Sequence, residues 1–175
     1  MKRVLTLLTL MLPLVLSAQT EQHSKKSTCT GIQARLGIGL EYYSDGYFGH
    51  YAEYPRTSVL VQGTFRHVLL GAGFDMIHTG EGNHDSAVNV RAGYQFEIGR
   101  LGGDAYLLVE KTIKSKEPYP TLFGCGFTLN YRLAGPLNIY TDIRAHSPLF
   151  SRPTGYGYYG RAFAGCVNIG IMLKF

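Results

Sequence analysis

Val167-Asn168-Ile169-Gly170-Ile171-Met172-Leu173-Lys174-Phe175 closes the sequence. Val167, Ile169, Ile171, Leu173 and Phe175 occupy one side of a period-two pattern, and Asn168, Gly170, Met172 and Lys174 the other. Successive side chains of a strand point to opposite faces, so this pattern predicts a β-strand with one apolar and one mixed face. A helix would spread the same residues around its circumference. Traced backwards, Phe163 joins the apolar side and Cys166 the other, and the strand is expected over 160–175.

The same alternation recurs seven times upstream. In 31–41, Ile32, Ala34, Leu36, Ile38 and Leu40 oppose Gln33, Arg35, Gly37, Gly39 and Glu41. In 57–66, Val59, Val61 and Phe65 oppose Gln62, Thr64 and Arg66, with Leu60 on the polar side. The pattern continues through 68–77, where Asp75 is polar, and through 87–98, where Arg91 and Glu97 are. Segment 104–114 is the least regular: Ala105, Leu107, Val109 and Ile113 form the apolar face, which Lys111 interrupts, and Tyr106 and Leu108 dilute the face carrying Glu110. Segment 121–133 sets Phe123, Cys125, Phe127, Leu129 and Tyr131 against Gly124, Gly126, Thr128, Asn130 and Arg132. Segment 137–146 sets Ile139, Ile143 and Ala145 against Tyr140, Asp142, Arg144 and His146.

The connections alternate in length. Long or medium stretches at 42–56, 78–86, 115–120 and 147–159 are interleaved with short turns at Arg66-His67, 99–103 and 134–136. Eight strands with loops on one end and turns on the other predict an all-β fold, an eight-stranded antiparallel up-and-down barrel that crosses a membrane. The polar faces support an interior: they mix glycine with arginine, glutamate and asparagine, and carry few lysines. Glycine weakens strands, so a solvated face has no use for so much of it. The inside of a narrow barrel needs small residues beside long ones, and buried charges there need partners. The expected interior network is Arg35, Glu41, Asp75, Arg91, Glu97, Glu110, Arg132, Asp142 and Arg144. Tyr42, Tyr43, Tyr47, Tyr51 and Tyr54 crowd one long stretch and Tyr156, Tyr158 and Tyr159 another. Tyr94, Phe96, Tyr131 and Phe175 lie toward the opposite end, as in an aromatic girdle.

The closing segment, with its alternation and its final Phe175, resembles the C-terminal signature of outer-membrane β-barrels. Strand number and loop asymmetry extend the resemblance over 31–175 to the small OmpA- and OmpX-like barrels. It implies that Phe175 is part of the signal read by the barrel-assembly machinery and that outer-membrane lipids surround the molecule. It also implies that both chain ends lie on the periplasmic side of a Gram-negative envelope.

The start of the chain fits export. Met1-Lys2-Arg3, an apolar run from Val4 to Leu16 and Ser17-Ala18 form a signal-peptide pattern over 1–18, for the general secretory pathway. That run is too short to span a bilayer as a helix, and no later segment is long enough. Residues 19–30 are polar and read as a flexible lead-in. Removing Lys2 and Arg3 leaves 15 of the 17 basic residues against 12 acidic ones, a net of +3 too small to suggest nucleic acid. Cys29, Cys125 and Cys166 are odd in number and widely spaced, which is neither a disulfide framework nor a zinc motif. No cofactor is expected.

Two chemistries compete with a non-enzymatic barrel whose interior is plugged and whose tyrosine-rich loops 42–56 and 147–159 meet a surface partner. The first is a lipid A-modifying enzyme of the deacylase or acyltransferase type. Its residues would be Asp142, His146 and Ser147, but Asp142 and His146 stand about 13 Å apart along an extended strand, and no residue separates His146 from Ser147. The second is a soluble periplasmic ligand-binding barrel, which would bury the apolar face instead. His78 and His84 with Asp85 are too few to define a metal site. Lys111 on the lipid side, with Arg56 and Arg152 in loops, is placed to meet lipid or lipopolysaccharide phosphates.

Overall fold

The computed structural model describes residues 29–44, 51–80, 83–114, 121–148 and 163–175. They form eight antiparallel strands in sequence order: β1 (Gly31–Ser44), β2 (Tyr51–Phe65), β3 (Val68–Gly80), β4 (Asn83–Ile98), β5 (Leu101–Lys114), β6 (Leu122–Ala134), β7 (Leu137–Pro148) and β8 (Phe163–Lys174). Each strand pairs with its sequence neighbours, and β8 returns to β1 to close the barrel. Closure leaves no unpaired edge, the condition for a sheet in hydrocarbon. The seam is sealed at its end by a reciprocal pair: the Ile32 N–H donates to the Phe175 carbonyl at 3.1 Å, and the Phe175 N–H to that of Ile32 at 2.9 Å.

Six of the eight strands, β1 to β5 and β7, are longer than alternation alone indicates, whereas β6 keeps its expected length and the described part of the expected 160–175 segment is Phe163–Lys174. β2 starts at Tyr51 rather than at residue 57, and β1 runs on to Ser44, so most of 42–56 is paired sheet (Glu41↔Tyr54, Tyr42↔Glu53). β5 starts at Leu101 rather than at 104, which shortens the expected 99–103 turn to Gly99-Arg100. Polar and bulky residues at strand ends broke the pattern there, while ladder hydrogen bonds continued through them. The other two short connections are Arg66-His67 and Gly135-Pro136. Two-residue hairpins need positive φ at one or both central positions. Gly99 and Gly135 supply it at 63° and 52°, whereas Arg66 and His67 adopt 49° and 74° without being glycine. This end of the barrel is termed the turn end, and the opposite one the loop end.

The two faces are inverted relative to a soluble barrel. Ile38, Leu70, Val90, Leu107, Ile143 and Ile169 point outward and are 54–64% exposed. Arg35, Glu41, Asp75, Arg91, Glu110, Asp142 and Arg144 point inward and are almost wholly buried. The soluble ligand-binding alternative required the reverse. At the turn end Phe65, Tyr94 and Phe175 project outward from the rim, and at the loop end Tyr42 does so. Tyr54, expected among the girdle residues, instead pairs with Glu41 across β1 and β2, on the inward side of the rim.

Glycines set the interior bore. A Cβ at Gly126 would collide with the ring of Tyr106, which crosses the lumen at that level. The two residues are direct partners across β5 and β6, so the missing side chain makes room for the ring.

Candidate functional site

The interior side chains form three connected tiers. At the loop end Arg56 is fully enclosed. Its Nη1 donates to Glu41 Oε2 at 2.5 Å, and its Nη2 to Glu110 Oε2 at 2.6 Å. The same Nη2 lies 2.5 Å from Asp75 Oδ2. Arg144 adds a second cation, 3.4 Å from Asp75 and 3.8 Å from Glu110, and donates to Ser58 Oγ at 3.3 Å. Asn89 donates to Asp75 from β4. His146 completes the tier, its Nε2 3.4 Å from Glu41 Oε1.

The middle tier is centred on Asp142. It accepts from the Tyr106 hydroxyl at 2.5 Å and from Thr128 at 2.8 Å. It pairs with Arg144 Nε at 3.0 Å and with Arg91 at 3.7 Å. The Arg91 guanidinium lies over the Tyr106 ring, 4.4 Å from its centroid. Nearer the turn end, Arg35 pairs with Asp104 and donates to Thr128 and Gln33, each at 2.9 Å. Gln62 donates to Gln33 and Asp104 at 3.1 and 3.2 Å. Buried ions of both signs interlocked in this way offset one another's charge.

Several sequence expectations change on this geometry. Arg56, expected in a loop facing lipid phosphates, is an interior residue 1% exposed and the most heavily paired cation of the network. The error follows from the strand boundary: once β2 extends to Tyr51, the position of Arg56 is on the inward side. Arg132 was expected in the network; it has inward parity but lies at the open turn end and is exposed. Glu97 is half-buried near the same rim and pairs with Lys174. Asp104, at the first position of the expected fifth segment and outside the expected network, is an interior residue; its spacing of two from Tyr106 is the signal that places it inside. Lys111 faces outward and is exposed, paired across the sheet with Val88. Arg152, most of 147–159, and 1–28 with the signal-peptide pattern and most of the lead-in lie outside the described residues.

The residues of the enzyme alternative are not brought together. Asp142 is committed to Tyr106, Thr128 and two arginines, His146 faces Glu41, and Ser147 is exposed on the outer side of β7. Nucleophilic catalysis needs a serine and base within hydrogen-bond reach. Cys29 and Cys166 are buried free thiols and Cys125 is exposed, among outward-facing residues.

No family model and no curated protein matches the chain. Solved structures do. The crystal structure of neisserial surface protein A (NspA) superposes with a TM-score of 0.56 at 12% identity, over 83% of this chain and 97% of that one. Ail, the attachment invasion locus protein of Yersinia pestis, gives 0.55 at 12% identity, over 83% of this chain and 99% of that one. At such identity the likeness is one of fold, a small closed antiparallel barrel, over 83% of this chain and almost the full length of each neighbour.

Proposed function

We propose that the protein is a non-enzymatic barrel of the Gram-negative outer membrane, presenting its loop end to the outside for contact with a surface partner. The observation that carries this reading is the inversion of its faces: a continuous outward surface of Ile, Leu and Val around an interior of ion pairs. In water that surface would be a far larger apolar patch than soluble monomers tolerate; in lipid it is the required one. The likeness to NspA and to Ail supports the same location. Residues 1–18 then serve as the export signal, 19–30 as a lead-in and Phe175 as part of the assembly signal. Both ends of the strand set lie at the turn end, which becomes the periplasmic side. Lys111, and Arg152 with it, contact lipid or lipopolysaccharide phosphates.

The chain without residues 1–18 is to be refolded in detergent micelles and run on gels with and without boiling. A boiling-dependent change in mobility together with a β-type circular dichroism spectrum is the expected result. A chain that folds without detergent and runs alike in both lanes would overturn the membrane reading. The partner-contact reading predicts that shortening both 45–50 and 149–162 leaves the mobility change intact and abolishes adhesion to host-cell or envelope surfaces. Adhesion unchanged by the deletions would remove the loops from the function.

A further inference from the structure

On the outer side of the barrel, at its loop end, two histidines face each other across a hairpin. His78 of β3 and His84 of β4 are direct cross-strand partners. Both point outward, since their chain neighbours Ile77 and Asp85 are the buried residues. Partners on one side of an antiparallel pair hold their Cβ atoms about 5 Å apart. Here the two rings stand edge to face, with centroids 4.9 Å apart and 86° between their planes. The two Nδ1 atoms are 3.1 Å apart. On its other side the His78 ring has Nε2 3.3 Å from the Thr57 hydroxyl of β2. The ladder shifts register immediately beyond the pair, between His78 and Gly80, and such irregularities re-aim side chains beside sites. Two histidines six positions apart make no metal motif in sequence; the register supplies what the spacing does not, a set distance between donors.

We infer that His78 and His84 chelate one divalent transition-metal ion of the copper and zinc class through their Nδ1 atoms. Two nitrogen donors about 2.05 Å from one ion stand about 2.9 Å apart at a right angle and about 3.4 Å apart at the tetrahedral angle. The observed 3.1 Å falls between the two spans, so a small movement of either ring seats an ion. A neutral imidazole has one protonated and one bare nitrogen. A His78 ring that donates Nε2–H to Thr57 turns its bare Nδ1 toward His84, the service that outer partners give to metal-ligating imidazoles. Without an ion the Nδ1–H of His84 closes the contact. When an ion takes that place, His84 carries its proton on Nε2 instead, and both rings stay neutral. Imidazole nitrogens select copper, nickel or zinc over calcium and magnesium, which take oxygen ligands. His84 is exposed, so the ion arrives from outside the barrel. The remaining coordination positions are left to water or to a donor atom of an approaching molecule. Chelation needs only the β3–β4 register, not the surface partner proposed above.

The competing cluster lies in the lumen, where Glu41, Glu110 and His146 each bring one donor atom within 4.8 Å of the others. There Arg56 already holds both carboxylates, and a second cation would enter beside its guanidinium. The test is calorimetric titration of the untagged, refolded and chelator-washed chain with Cu2+ and with Zn2+, each variant first checked for its boiling-dependent mobility. That check keeps failure of the barrel reading separate from failure of this one. One equivalent of saturable binding is expected, tighter for Cu2+ than for Zn2+. Affinity should fall at least about 100-fold in His84→Ala and about 10-fold in Thr57→Val, and stay unchanged in His146→Gln. Absence of saturable binding, full affinity in His84→Ala, or loss confined to His146→Gln would each overturn the inference. Electron paramagnetic resonance of the wild-type Cu2+ complex needs no variant: coupling to two imidazole nitrogens is expected, and coupling to one alone would refute the pair.

Discussion

Arg56 carries the heaviest electrostatic burden of any described residue. Three carboxylates on three strands, Glu41 of β1, Asp75 of β3 and Glu110 of β5, converge on one guanidinium. Its planar fork can serve several acceptors at once, which a lysine ammonium does less well. Removing one partner of a buried ion pair costs about 3–5 kcal/mol, because the remaining charge is stranded. Arg56→Leu should therefore lower the unfolding free energy in detergent by that order, with Arg56→Lys in between, as read from urea titration of tryptic resistance. A surface arginine in a loop would change it by no more than about 0.5 kcal/mol, so a neutral substitution would contradict the interior placement. The residue also shows where sequence reading loses its grip. Glu41, Asp75, Arg91 and Asp142 sit in clean alternation, and their inward placement was legible. Arg56 lies in a stretch of tyrosine, proline and glutamate where no apolar rhythm survives, although the backbone ladder runs on through it. Which charges pair was not legible at all, since Arg35 and Asp104 meet across the lumen from strands far apart in sequence.

At the scale of elements, the β2–β3 hairpin is the strained one. Its two-residue turn places Arg66 and His67 in the left-handed region at φ 49° and 74°, which disfavours side chains with a Cβ and favours Asn and Gly. His67 has compensations. Its ring stacks on Tyr94 at 5.3 Å between centroids, and its Nδ1 lies 3.0 Å from the Gln95 carbonyl. The Arg66 side chain, among the described residues, has its guanidinium over the Phe65 ring, 5.3 Å from the centroid. Arg66→Asn should thus raise stability by about 0.5–1 kcal/mol, less than the full left-handed penalty because a cation–π contact is lost. His67→Gly should gain less or lose, since the ring contacts go with the side chain. A higher urea midpoint for Arg66→Asn than for His67→Gly is the expected ordering, and the reverse would locate the strain elsewhere. The existence and order of all eight strands could be read from their period. Their ends could not: the start of β5 carries Gly102 and Gly103, turn-forming residues by local preference that here belong to paired sheet.

For the whole molecule, the question is whether the polar lumen conducts. Eight strands close on a bore that side chains can fill, and here long side chains cross it at every tier. Tyr106 and Arg91 stack in the middle, held by Asp142; Arg56 and Arg144 clamp the loop end; Arg35, Gln33 and Gln62 knit the level below. An ion passing through would have to displace buried pairs from different walls, such as Arg35 of β1 with Asp104 of β5, and each displaced charge would be left unpaired in a buried position. Fluctuation of a single side chain is not expected to open such a path, because the tiers share members: Asp142 is bound to Arg144, which also reaches Asp75 and Glu110 in the tier above. The refolded protein in a planar bilayer should therefore show no steady ohmic current above the bare membrane. Thinning one tier alone, as in Tyr106→Ala, should leave it closed, because the tiers on either side remain. Only combined removal of Arg56, Tyr106 and Arg35, if the barrel still folds, should give a persistent conductance. A stable open level in the unmodified protein would mean that the interior ion pairs exchange partners on the timescale of permeation, and that the lumen is a gate instead of a plug.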